Sequence, residues 1–150
     1  MSDALQRLLD GDLAPEVYRS LSRADADRLA QRVERAGWRC FVVRGAGVSD
    51  KAALLAAFAQ SMAFPSYFGY NWDALSDVLC DLGWAPTQRG YVLLLDDLAP
   101  LAAGAPEVFA TLLQVLRGAV AFWRDTATPL VVLLRRAGRP AGTLPRLARP

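Results

Sequence analysis

Residues 90–97, GYVLLLDD, set five apolar side chains in a row between a glycine and two aspartates. A run this short cannot stand as a free helix, and its lack of alternation marks a strand buried on both faces. Trp38 to Val43 (WRCFVV) and Pro129 to Leu134 (PLVVLL) have the same character. Helical patterns lie between them. Asp25 to Gly37 place Ala26, Leu29, Ala30 and Val33 on one side and stop at a glycine. Ser49 and Asp50 supply an N-cap for KAALLAAFAQSMA, which halts before Pro65. Pro106 opens a helix to Trp123 with a stripe through Val108, Leu112, Val115 and Ala119. Buried strands separated by helices imply an α/β fold, with a small three-stranded parallel sheet and helices packed on it.

The length of 150 residues, 53% hydrophobic and 21% charged, suits one domain. Residues 38–134 are its expected body. Residues 1–37 read as an N-terminal extension with one helix after an irregular or briefly helical lead-in. Residues 135–150 hold five Arg, three Pro and two Gly with no acid, which predicts an unpacked, flexible tail.

The net charge of +2 conceals segregation. Residues 1–51 carry nine bases and eight acids, residues 52–116 six acids and one base (Arg89), and residues 117–150 seven bases and one acid (Asp125). The middle of the chain is acidic and its end basic. There is no His, which removes a Ser-His-Asp triad, a Cys-His nucleophile and an imidazole-bound zinc. Cys40 and Cys80 lie in apolar stretches and read as reduced thiols. Residues 1–30 hold no apolar core of the signal-peptide kind, and no run of 18 apolar residues occurs, so a cytoplasmic location is expected. Gly45-Ala46-Gly47 has no third glycine and reads as a turn.

The least ordinary segment is 65–84, PSYFGYNWDALSDVLCDLGW. Tyr67, Phe68 and Tyr70 surround Gly69 just before a helix that Asn71 caps. Trp72, Leu75, Val78, Leu79 and Leu82 share one face, while Asp73, Ser76, Asp77 and Cys80 share the other. The helix dipole favours Asp73 in the first turn. Asp77, four residues on, pays a like-charge penalty of about 0.2–0.5 kcal/mol, and no base lies between Lys51 and Arg89 to relieve it. An acidic face kept in this way suits something outside the chain. Solvated surface charge is the plain alternative, and acid-base or divalent-metal chemistry on the two aspartates a third, although no nucleophile or phosphate loop accompanies them.

The pattern Tyr-Phe-Gly-x-Asn-x-Asp-Ala-Leu-x-Asp over 67–77, with Gly83-Trp84 and the later LLQVLR, resembles the barstar family of intracellular ribonuclease inhibitors. The resemblance spans about residues 38–134 and implies the same α/β fold. It implies a non-enzymatic inhibitor, immunity protein or antitoxin whose 67–84 surface plugs the active-site cleft of a basic ribonuclease toxin, with no cofactor, metal, direct nucleic acid or membrane involved. Asp77 would occupy the place of a substrate phosphate and meet the nuclease's arginines. Asp73 would add a second contact, Tyr67 would pack over the cleft edge, Asn71 would hydrogen-bond beside it, and Gly83 and Trp84 would form the rim. The sequence departs from the family's best-known member at Ser76, an aromatic there, and at Gly118, an acid there. It also has a longer linker, Cys80-Asp81-Leu82, in which Asp81 restores a charge. These departures keep a second reading open, a barstar-fold binding module with a non-nuclease partner.

Overall fold

The computed structural model describes residues 3–20, 22–138, 141–142 and 144–147. In chain order the elements are α1 (Ala4–Leu9), β1 (Val17–Ser20), α2 (Ala26–Arg35), β2 (Arg39–Arg44), α3 (Lys51–Ser61), α4 (Trp72–Leu79), β3 (Tyr91–Asp96), α5 (Ala99–Gly104), α6 (Pro106–Trp123), β4 (Leu130–Arg135) and β5 (Arg146–Leu147). The strands form one parallel sheet in the order β2-β3-β4-β1-β5. Tyr91 stands opposite Arg39 on one side and Leu130 on the other, and Val17 stands opposite Val132.

Side chains alternate between two cores, as the pleat requires. Phe41, Val43, Tyr91, Leu93, Leu95, Leu130, Val132 and Leu134 pack with α3, α4, α5 and α6. Val92, Leu94, Val131 and Leu133 pack with α1 and α2 on the opposite face. Trp38 ties α1 down, its Nε1 donating to the Leu9 carbonyl at 3.1 Å. The two cysteines therefore belong to opposite faces, Cys40 beside α2 and Cys80 at the end of α4, and both are free thiols.

The sheet has five strands, not three, and both additional strands lie outside 38–134. β1 is four residues with an arginine in it, and β5 is two, so neither carries a periodic signal of its own; each forms because a neighbouring strand offers a ladder of backbone partners. The flexible-tail expectation is corrected in the same way. Among the described residues beyond β4, Ala137, Ala141, Leu144 and Leu147 are buried. Positions 139, 140, 143 and 148–150 of that stretch, like 1, 2 and 21, lie outside the described residues. α6 also sits rotated from the expected stripe. Phe109, Leu112, Leu113, Leu116, Ala119 and Val120 are its buried residues, while Val108 and Val115 are half-buried. The helix is apolar over more than one stripe, and contact with both α5 and the sheet chooses the wider one.

Two glycines are dictated by close approach. A Cβ on Gly45 would lie 2.4 Å from the Asp97 carbonyl oxygen, so the Gly45-Ala46-Gly47 turn is a packing device. Gly90, at φ +154, enters β3 with Pro129 and the Trp38 ring against it. Among the described residues no helix is long and apolar enough to cross a membrane.

Gly90→Ala would place a Cβ 2.6 Å from the Pro129 oxygen and 2.7 Å from the Trp38 ring. The combined clash and backbone strain should cost about 3 kcal/mol in urea unfolding; a loss below ~0.5 kcal/mol would refute the account. Burial, helped by the charge of Glu34, pushes the Cys40 thiol up to about 12. The folded state then keeps a proton that the unfolded chain releases, so stability should fall as pH rises from about 9 towards 12, by up to ~1.4 kcal/mol per unit. Unfolding curves at pH 8.5 and 10.5 should show a smaller fall for Cys40→Ala than for the wild type.

Candidate functional site

The site is built on α4 and the segments at its two ends. Asn71 caps the helix, its Oδ1 accepting from the Ala74 N–H at 2.7 Å. Upstream, Phe68 turns inward and is buried, meeting Phe64 edge-on at 4.8 Å between ring centroids. Tyr70 also packs its ring on Phe68 at 4.8 Å, with a left-handed backbone at φ +53. A non-glycine residue pays about 1–2 kcal/mol for that conformation. The turn it makes leaves Tyr67 and Tyr70 as exposed aromatics, 76% and 58% accessible, beside the helix start.

The C-terminal end is held by side-chain hydrogen bonds to two carbonyls, of which that of Leu79 is one the helix end leaves open. Trp123 of α6 donates from Nε1 to the Leu79 carbonyl at 2.8 Å. The Tyr91 hydroxyl donates to the Leu82 carbonyl at 3.2 Å, within the core. Leu75, Val78 and Leu79 are buried beneath, and Trp72 is half-buried with Lys51 over its ring at 5.6 Å.

On the outer side Asp73 and Asp77 are exposed one turn apart, and Asp81 is exposed just past the helix. None of the three forms an ion pair among the described residues. No group of three or more His, Cys, Asp or Glu is placed to hold a metal ion among the described residues. Ser76 is half-buried between the two aspartates. Cys80, four residues on, has its thiol raised by burial first and by Asp77's charge second, while a hydrogen bond from Ser76 opposes both. Gly83 is exposed and Trp84 half-buried, the indole packing on Phe41 at 5.8 Å and Phe64 at 6.1 Å. Trp84 thus anchors the loop to the core that carries the helix.

All eight residues singled out from the sequence, Tyr67, Asn71, Asp73, Ser76, Asp77, Asp81, Gly83 and Trp84, fall on α4 and its flanks. Two exposed aromatics were not among the eight, although Tyr70 was noted beside Gly69. Tyr70 sits between a glycine and a capping Asn, and nothing in that sequence marks its left-handed backbone. Phe122 is 57% exposed on the last turn of α6 and meets Trp123 edge-on at 5.4 Å, next to the carbonyl anchor of α4. Its signal was an apolar surplus on α6, too many hydrophobes for one buried stripe. Gly118 is exposed on the same helix with open space around it.

A family model described as Barstar (barnase inhibitor) matches residues 38–135. The chain belongs to the barstar family. A search of curated proteins gives no match. Among solved structures, the chain is similar to the Aeropyrum pernix ORC2 protein in its ADP form, with TM-score 0.60 and 18% identity over 93% of this chain and 40% of that one. It is also similar to the ADPNP-ADP complexes of the same protein, with TM-score 0.55 and 16% identity over 88% and 38%. The barstar-family chain spans about two-fifths of those chains, and at that identity the likeness shows the fold alone.

Asn71→Ala removes the cap and should cost about 1 kcal/mol in urea unfolding, with Asn71→Asp recovering most of the loss. Equal midpoints for all three proteins would mean that the cap does not hold α4.

Proposed function

We propose that the chain is an inhibitor or immunity protein, acting in the cytoplasm, that binds a basic ribonuclease-type toxin by placing the α4 face in its active-site cleft. The observation that carries this reading is the set of exposed carboxylates of Asp73, Asp77 and Asp81, unpaired among the described residues and flanked by Tyr67 and Tyr70. A nuclease cleft is a cationic cavity shaped for phosphates. A carboxylate presented on a rigid helix meets its guanidinium groups through charge-assisted hydrogen bonds, and aromatic side chains around it exclude water and strengthen them. Asp77, in the middle of the three, has the central role. Asp73 and Asp81 extend the field to either side, and Asn71, Gly83 and Trp84 fix the edges. The role is one of blocking a reaction: the face supplies a stand-in for substrate.

A second reading keeps the binding surface and changes the partner. Ser76 and Gly118 favour it, because Ser76 leaves a smaller contact where the family's best-known member has an aromatic, and Gly118 a smaller and uncharged one where it has an acid. A module of this kind would bind a protein with a shallower or less basic cleft.

Asp77→Ala should weaken binding to a basic ribonuclease of the barnase type by about 2–5 kcal/mol, while changing the urea midpoint by no more than ~0.5 kcal/mol in stability, since an exposed carboxylate contributes little to the fold. Association should also slow steeply with salt. Wild-type affinity in the variant would overturn the assignment of the centre. Absence of binding by the wild type would leave the non-nuclease reading in possession.

A further inference from the structure

The sheet has a second place where ligand chemistry is available, on the face opposite α4. β1 and β4 are neighbours, but the chain leaves them in opposite directions. From β1 it crosses into α2, which packs in the α1/α2 core; from β4 it runs into 136–145, whose Ala137, Ala141 and Leu144 join the other core. The connections diverge and open a crevice at the carboxyl ends of the two strands, the position at which open α/β sheets bind small molecules.

A cavity of about 600 Å³ lies there. Leu133 of β4 and Leu147 of β5 line it from the sheet, with Leu5 of α1 and Leu29 of α2 on the helix side. One wall is the loop 22–24, and that wall is pinned from behind. Arg135, the last residue of β4 and 2% exposed, donates to the Ser22 carbonyl at 3.4 Å and to the Ala24 carbonyl, while Asp96 holds its other nitrogen at 3.3 Å. Its charge is paired with Asp96, and its Nε has no hydrogen-bond partner among the described residues.

Two further polar groups line the cavity, Ser20 and Arg23. Ser20, 8% exposed at the end of β1, accepts a long hydrogen bond from the Ser22 N–H at 3.4 Å, and no acceptor for its own hydroxyl proton is found among the described residues. Arg23 is exposed and has no carboxylate within 4 Å among the described residues. Arg32, by contrast, is held by both oxygens of Asp3, at 2.7 and 2.5 Å, and closes the wall as a neutral pair. The result is an apolar floor with one buried hydroxyl donor and one unpaired cation.

From this arrangement we infer that the cavity binds a small organic anion with an aliphatic body, its carboxylate on Arg23 and the Ser20 hydroxyl and its chain against Leu133 and Leu147. The site is independent of the partner surface, which lies across the sheet, and an anion here is remote from the aspartates of α4.

Decanoate is the probe, titrated into the full chain by calorimetry below its micelle concentration, with decanol testing the charge and butyrate the apolar body. Saturable one-to-one binding of decanoate is expected, with both controls weaker by about tenfold or more. Arg23→Gln, an exposed change that leaves the fold intact, should bring decanoate down to the level of decanol, and Ala24→Phe should fill the cavity and abolish binding. The proposal is overturned if decanoate shows no saturation, if decanol binds equally, or if either variant, shown to be folded by its urea midpoint, binds as the wild type does.

Discussion

β3 is the strand on which the rest of the molecule depends. Every side chain from Tyr91 to Leu95 is buried, and they point alternately into two cores. Each contributes about 1.5–3 kcal/mol when removed from water, but only if both faces of the sheet are covered. One layer of helices would leave Val92 and Leu94 wet. The requirement explains why α1 and α2 are parts of the domain: they cover the second face, and Trp38 binds α1 to it. It also explains why β1 joins beside β4, since Tyr18 extends the same apolar surface.

The acidic surface follows from how α4 is held. Eight residues form a short helix with little intrinsic stability. Its hold comes from the Asn71 cap at one end, the Trp123 and Tyr91 hydrogen bonds to carbonyls at the other, and three buried side chains beneath. With every fastening on the inner side or at the ends, the outer side is left without structural duties. Asp73 and Asp77 can repel one another there because the anchors outweigh a penalty of a few tenths of a kcal/mol.

Much of this was legible in the chain. Continuous apolar runs gave away β2, β3 and β4, because a strand buried on both sides loses its alternation. The pattern around Asn71 exposed the start of α4, because a cap and a first-turn acid follow directly from helix electrostatics. β1 and β5 were not legible: VYRS and RL take their conformation from the strand beside them, and pairing across more than a hundred residues leaves no local mark. The buried positions of 137–147 were hidden by the same effect, since isolated alanines and leucines among arginines resemble a solvated end. Tyr70 and Phe122 were missed because exposure of a single aromatic is decided by packing around it, which periodicity does not describe.

The placement of the two thiols on opposite faces of the sheet has a redox consequence. No internal disulfide can form without disrupting the sheet that separates them, so a disulfide at either thiol must be made with a second molecule. Cys40 is kept protonated and is a poor nucleophile at neutral pH. Cys80 is the more available thiol, but Asp77 beside it disfavours the thiolate, and a bridge between two copies would press one acidic face against another. The charges of the acidic face therefore also disfavour covalent pairing of two copies through Cys80.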